Sequence, residues 1–418
     1  MNKPEEPLLH GGKVVSNARL AITMGAAMAV SPLAIDMYLP SLPTLAQEFQ
    51  VDMSRVQVTL SSFFLGIALF QVVYGPLSDR YGRRRPLLVG LVIYALASAM
   101  CAFSTSVQML TIGRFLQAMG SCAGMVISMA VVRDRFSPVE GAYMMSRMIL
   151  VMGVAPILAP SFGGFLLTTL GWQAIFGVLA IYGAVLAAAI ALYLPETRPA
   201  HYKGPSNPWQ ALKVYGGLFL HRRYMGYALT RSLVQGALFA YITGSPFVFI
   251  ELHGVPTKYF GILFSLNALG IIGGAQVNQR LLRNRSPEKV LRGALVAVGI
   301  STMALVGAAL LPLSMGTTGF VLLLIPLFCQ IAGSGLVQPN SVVLALAPFG
   351  DRAGSASALM GSLMFALASL ASSAVALFHT HSALPMAGTM ATCAVLGICA
   401  YYFLARARPG EAPVSTGH

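Results

Sequence analysis

Twelve apolar runs, most of about twenty residues or more, follow one another along the chain, separated by short polar breaks. Apolar residues fill the runs all round instead of recurring on one helical face, so the expected solvent is lipid and only helices or a closed barrel span it. A helix needs about 20 residues to cross the hydrocarbon core and a barrel strand about 10, so the run length selects helices. The pattern predicts them over 18–43, 56–77, 86–104, 107–132, 140–168, 172–194, 224–250, 258–279, 289–311, 318–343, 353–377 and 384–405. The longest break carries Glu196, Arg198, Lys203, Pro205, Pro208, Lys213, Arg222 and Arg223. It divides the chain into a tail (1–17), a six-helix bundle (18–194), a central loop (195–223), a second six-helix bundle (224–405) and a C-terminal tail (406–418). The expected fold is therefore all-α and transmembrane, with two pseudo-symmetric halves.

Composition agrees: 56% of the 418 residues are hydrophobic and only 10% are charged, less than half the charge of an ordinary soluble domain. A net charge of +14 would fit nucleic acid if it were spread over a surface, but here it is confined to short connections. Of the 27 Lys and Arg, Arg55 and Lys258 alone fall in odd-numbered connections, and Arg114, Arg147 and Arg231 fall inside predicted spans. The others occupy the tails, the even-numbered connections and the first turn of the spans that adjoin them, which predicts that both termini are cytoplasmic. The first span, entered from a polar stretch with Lys3, Lys13 and Arg19, is expected to act as its own targeting signal. Cys101, Cys122, Cys329, Cys393 and Cys399 lie in apolar runs without metal-ligand spacing, so neither a disulfide nor a metal site is expected. Trp172 and the Tyr401-Tyr402 pair are expected at the membrane interface.

The chemistry concentrates in few places. Asp36, in Ser31-Pro32-Leu-Ala-Ile-Asp36-Met-Tyr38-Leu-Pro40, is the carboxylate placed well inside a span. An ionised acid there costs several kcal/mol, so it must face protein or water, or carry a proton. Arg114 in the fourth span falls at a similar depth, about 10 Å from the outer end, which makes an Asp36–Arg114 pair plausible. Apolar surroundings favour the neutral acid and a neighbouring guanidinium favours the charged one, so an acid held between them is suited to exchanging a proton. A static structural ion pair is the alternative. Gly75-Pro-Leu-Ser-Asp79-Arg80-Tyr-Gly82-Arg83-Arg84-Arg85 forms a basic turn between spans two and three. Gly75 is expected to allow close helix approach, Gly82 a tight turn, and Asp79 a latch between helices. Gly274 to Arg285 repeats this register weakly after span eight, with Asn278 in the place of Asp79.

Gly153, Pro156, Pro160, Gly163 and Gly164 in span five allow close packing and bending. Tyr38, Gln117, Asn267, Gln338 and Asn340 are candidate cavity-lining residues, with hydrogen bonding between helices as the alternative. Arg147 and Arg231 sit about two turns from the expected cytoplasmic ends, where long side chains snorkel. No phosphate loop, metal motif or pair of carboxylates in one predicted pocket is present, so an enzyme is not expected.

These residues resemble the major facilitator superfamily over nearly the whole chain. Gly75, Leu77, Asp79, Arg80, Gly82, Arg83 and Arg84 match its turn between helices two and three, and Arg114, Gln117 and Gly120 its helix-four pattern. Span five resembles the antiporter motif of the drug-exporting branch, departing at Ala159-Pro160, where Gly-Pro is usual. Ile35 to Pro40, Ser245 to Ile250, and Gly354 to Leu359 are similar to the Bcr/CflA group. The resemblance implies a bacterial inner-membrane exporter of bicyclomycin- or chloramphenicol-like compounds driven by proton antiport, with alternating access and no cofactor beyond the proton. It implies that Asp36 carries proton and substrate, that Arg114 is its partner, and that Asp79 meets helix eleven in the outward-facing state. Some related exporters carry a second acid two turns before Asp36; Met28 stands there in this sequence. The expected partners are a small-molecule drug and the bilayer, with no nucleic acid, and a monomer is expected to suffice. A proton symporter importing a metabolite, and a sensor or scaffold on the same fold, are the alternatives.

Overall fold

A computed structural model describes residues 9–10, 13–14, 16–198, 215–349, 353–378 and 380–406. Residues 199–214 of the expected central loop and 407–418 of the C-terminal tail lie outside them. Twelve helices among the described residues are long and apolar enough to cross a membrane. They are α1 Asn17–Glu48, α2 Met53–Tyr81, α3 Arg84–Ala102, α4 Val107–Arg135, α5 Tyr143–Leu170, α6 Trp172–Tyr193, α7 Arg222–Leu252, α8 Thr257–Leu282, α9 Pro287–Ala309, α10 Gly316–Leu346, α11 Gly354–Leu377 and α12 Leu384–Ala405. A two-residue β pair, Leu9–His10 with Lys13–Val14, is the other regular element near the N-terminus.

Three spans are interrupted beside prolines, where the sequence cannot sustain a helix; α12 also ends in a π turn, at Tyr401–Ala405. α1 is regular only to Asp36, then tightens into a 3-10 turn at Leu39–Ser41 before resuming at Leu42–Glu48. Pro40 and Pro43 remove the backbone donors that would carry the ladder through. The helix of α5 starts at Pro138, behind a reciprocal Ser137–Glu140 capping box, and pauses at Val154 before Pro156. α7 widens into a π turn over Phe247–Leu252 just after Pro246.

Within the first half α2 and α3 pack on α4, α3 on α6, and α1 on α4 and α5; within the second, α7 packs on α10, α11 and α12 and α10 on α8 and α9. The halves meet along two seams, α2 with α11 and α5 with α8. Among the described residues five side-chain hydrogen bonds join the two halves, four across these seams and one from α2 to α7: Ser61 to Ser372 (2.9 Å), Ser369 to the Ser61 carbonyl (2.8 Å), Ser362 to the Ala68 carbonyl (2.6 Å), Ser265 to the Ile157 carbonyl (2.6 Å) and Gln57 to the Thr243 carbonyl (3.2 Å). All five lie at mid-depth or in the half of the molecule away from the basic turns. Trp172 is not an interface anchor: it is 2% exposed and its indole donates to Glu48 across 2.7 Å. Tyr401 is buried as well, and of that pair Tyr402 alone reaches the surface.

Candidate functional site

Asp36 is the last residue of the regular part of α1 and is buried. Its carboxyl lies within electrostatic range of the Tyr241 hydroxyl on α7, in the other half of the molecule. The Tyr241 hydroxyl in turn accepts from Asn267 of α8 at 3.0 Å. Asp36 thus sits at a helix break and faces the interface between the halves.

Arg114 lies elsewhere. Its guanidinium is fully buried beneath Tyr38, Phe63 and Phe176, with 4.7, 4.2 and 5.9 Å to the ring centroids. Nη1 donates to the Ala34 carbonyl at 2.9 Å and to Gln117 at 2.5 Å, and Gln117 donates to Ser98 of α3 at 2.8 Å. Nε and Nη2 have no hydrogen-bond partner. The expected Asp36–Arg114 pair is not formed, and helical geometry gives the reason. The face of α1 turned to α4 carries Ser31, bonded to Ser121, and Met24, whose carbonyl accepts from Ser128. Asp36 follows Ser31 by five residues, which turns it about 140° away from that face.

Tyr38 and Gln117 are likewise packed within the first half: Tyr38 shares a 2.8 Å hydrogen bond with Thr59 and contacts Phe176. Neither lines an open space here.

The basic turn is a charged cluster. Arg83, with a side chain 0% exposed, bonds Asp79 at 2.5 Å and Asp134 of α4 at 2.6 Å. Its Nη1 also donates to Ser78. Asp79 is therefore engaged within its own turn. The residue that sequence reading left unassigned is Glu196. Its carboxylate accepts from the backbone N–H groups of Arg83 (2.7 Å), Arg84 (3.2 Å), Thr197 (3.1 Å) and Arg198 (3.0 Å). Arg198 donates to the carbonyls of Asp79 and Arg80, and Arg84 to that of Ala191 in α6. The turn is thereby stapled to the end of α6. Gly82, at φ +87°, is required twice: for its backbone conformation and because a Cβ there would strike the Glu196 carboxylate. Gly75 has open space beside it, so it is not a close-approach glycine. An acid three residues past an apolar run, two residues before Arg198, is the signal the sequence offers for Glu196.

The model of the Major Facilitator Superfamily matches residues 24–373. The chain belongs to the major facilitator superfamily. It is 38% identical to the MFS-type transporter YdgK of Bacillus subtilis, over 97% of this chain and 100% of that protein. A bicyclomycin resistance protein homolog of Haemophilus influenzae is 33% identical over 92% of this chain and 95% of its own length. The multidrug resistance protein MdtL of Klebsiella pneumoniae is 27% identical over 82% and 85%. Among solved structures, a D-xylose–proton symporter superposes with TM-score 0.70 at 14% identity, covering 93% of this chain and 97% of that one. That likeness shows the fold alone. As a member of the superfamily the protein is a multi-pass membrane transporter of small molecules and not an enzyme.

The remaining expected residues take distinct places in the superfamily fold. Gly163 of α5 lies against the Met37 carbonyl so closely that no Cβ fits. Gly164 faces Thr257 of α8, Pro160 is buried, and Gly153 has open space beside it. Pro156 follows the pause in the α5 helix. Asn340 of α10 donates to Asn278 of α8 at 2.6 Å and is 1% exposed, so it ties helices together and lines no cavity. Gln338 is part-exposed and bonds Gln235 of α7 at 2.6 Å.

Proposed function

We propose that this transporter exports small amphipathic antimicrobial compounds, of the bicyclomycin and chloramphenicol kind, in exchange for protons across a bacterial cytoplasmic membrane. The bicyclomycin-resistance and multidrug-resistance names of the Haemophilus and Klebsiella relatives support a drug-efflux reading. The observation that carries proton coupling is the position of Asp36: a buried carboxylate at the break of α1, without an ion-pair partner among the described residues, facing α7 across the interface between the bundles. Motion of one bundle against the other changes what that carboxylate meets, and hence its affinity for a proton.

Taking the basic face as cytoplasmic, the hydrogen bonds across both seams close the outer side of this conformation. Cargo then enters from the cytoplasm or inner leaflet, leaves when the outer seam parts, and Asp36 takes up a proton that returns inward. Each proton moving down 100 mV contributes about 2.3 kcal/mol, sufficient for one site to sustain accumulation. A monomer suffices, because the interface that opens and closes lies within one chain. Arg114, held under three rings and bonded to the Ala34 carbonyl, acts as a positioning residue that fixes the end of α1.

The test is chloramphenicol transport by purified protein in proteoliposomes under an imposed pH gradient. Asp36→Asn is expected to abolish uphill transport and to retain downhill exchange; wild-type uphill transport in this variant overturns proton coupling through Asp36. Arg114→Ala is expected to impair both modes.

A further inference from the structure

α7 is the most enclosed of the twelve spans, with 83% of its apolar stretch buried. Between Gly226 and Phe249 only Leu229, Arg231, Gln235 and Leu238 retain partial exposure. The last three recur at i, i+4 and i+7, so they form one stripe. Its flanks are taken: Thr230 bonds α12, Gly236 faces α12 and α11, Phe239 contacts Phe64 of α2 and Phe365 of α11, and Tyr241 contacts α8. Lipid does not reach the stripe, so the exposure of Arg231 is exposure to the space between the bundles. Snorkelling to the membrane surface does not account for it.

α10 completes the site. Gln338 Nε2 donates to the Gln235 side chain at 2.6 Å and to the Arg231 carbonyl at 3.3 Å. Gln330, Ser334, Gln338 and Ser341 recur at i, i+4, i+8 and i+11, one polar face on a helix whose other deep polar side chain, Asn340, is turned to α8. Both amide atoms of Gln330 are buried without a partner, and so is Nε of Arg231. Among the described residues no carboxylate lies within ion-pair distance of Arg231. Buried donors and a cation without a counter-charge are costly unless something else supplies the acceptor. Arg114 cannot take that role toward a cargo, because it is fully enclosed.

We propose that Arg231, with Gln235 and Gln338, forms an anion-binding subsite in the second bundle that takes the carboxylate of a cargo molecule. Tyr241, which marks the level of Asp36, is ten residues further along α7, about 15 Å away. A carboxylate-accepting end and a cation-accepting end separated by that distance fit a drug-sized zwitterion, its amine toward Asp36 and its acid toward Arg231. The single guanidinium with amide donors beside it matches one negative charge. This inference rests on the export reading and specifies its substrate class.

The experiment uses matched pairs in proteoliposomes under a pH gradient: ciprofloxacin against its methyl ester, and chloramphenicol succinate against chloramphenicol. Wild type is expected to favour the carboxylate member of each pair about tenfold in kcat/KM, the effect of one charge-assisted hydrogen bond. Arg231→Gln brings the ratio close to one, Arg231→Lys keeps most of it, and Gln338→Leu lowers it in between. Equal handling of both members by wild type, or an unchanged ratio in Arg231→Gln, overturns the subsite and leaves the export reading standing. Transport of neither member of either pair by wild type overturns the export reading and the subsite with it.

Discussion

The turns that close α2 and α8 occupy matching places in the two bundles and are built from opposite materials. In the first, Asp79, Arg83 and Asp134 form a charged cluster, and Glu196 clamps the same turn through backbone N–H groups. In the second, Asn278 stands where Asp79 does and bonds Asn340 as a neutral, buried amide pair, while Arg280, Arg283 and Arg285 extend into the open. Arg83 and Asp134 are buried where they meet, but both stand at the ends of their helices, so a movement that opens the cluster delivers both charges to water, whereas removing one partner in place does not. Two amides buried between helices have no such refuge, and parting them leaves both unsatisfied. The difference assigns the exchangeable element to the first bundle and the fixed one to the second.

The sharpest way to break that comparison is to remove the centre of the charged cluster. Arg83→Ala leaves Asp134 buried without its cation and is expected to cost about 3–5 kcal/mol. A thermal unfolding series in detergent measures it, and a loss comparable to that of a surface arginine would remove the cluster from the account. In the second turn, Asn340→Leu strands the Asn278 amide and is expected to cost about 1–3 kcal/mol, whereas Asn278→Leu with Asn340→Leu recovers most of that loss. If the double variant is as unstable as the sum of the singles, the amide pair is not the unit holding α8 to α10.

Glu196→Gln keeps the shape of the staple and weakens its charge-assisted bonds, with an expected loss of about 1 kcal/mol. Faster hydrogen exchange at the N–H groups of Arg83 and Arg84 is the accompanying signature. The smallest effect belongs to the exposed capping box before α5. There the Ser137 hydroxyl and backbone N–H, bonded to Glu140, hold its carboxyl below the usual glutamate range. The group has a lowered folded value, so its contribution is present above the unfolded value and is lost as pH falls through the folded one. A carboxyl titration followed by NMR is expected to place Glu140 below free glutamate, and Ser137→Ala to return it upward.

The spans, their number and the six-plus-six division are all present in the linear pattern, because a run's length and apolarity act without reference to neighbours. Depth was legible too: counting residues along α1 and α4 put Asp36 and Arg114 at similar levels. Direction around the helix separates them, since five residues past Ser31 leads to the far side of α1. The partner of Glu196 lies more than a hundred residues earlier in the chain, and no local pattern announces a contact of that range. Arg231 shows the same limit in another form. Its distance from a helix end permits snorkelling, and only the packing of α2, α8, α11 and α12 around α7 shows that lipid is out of reach.

Sequence by itself determined that this chain lives in a bilayer as twelve helices with its basic turns on one face, since hydrophobic length and charge placement are properties of single segments. Tertiary structure decided which buried charges meet: Asp36 with the α7 side, Arg114 with three rings and a carbonyl, Arg83 with two acids. The reason is angular. A helix presents each residue in one direction, and what waits in that direction is set by how the other eleven are packed.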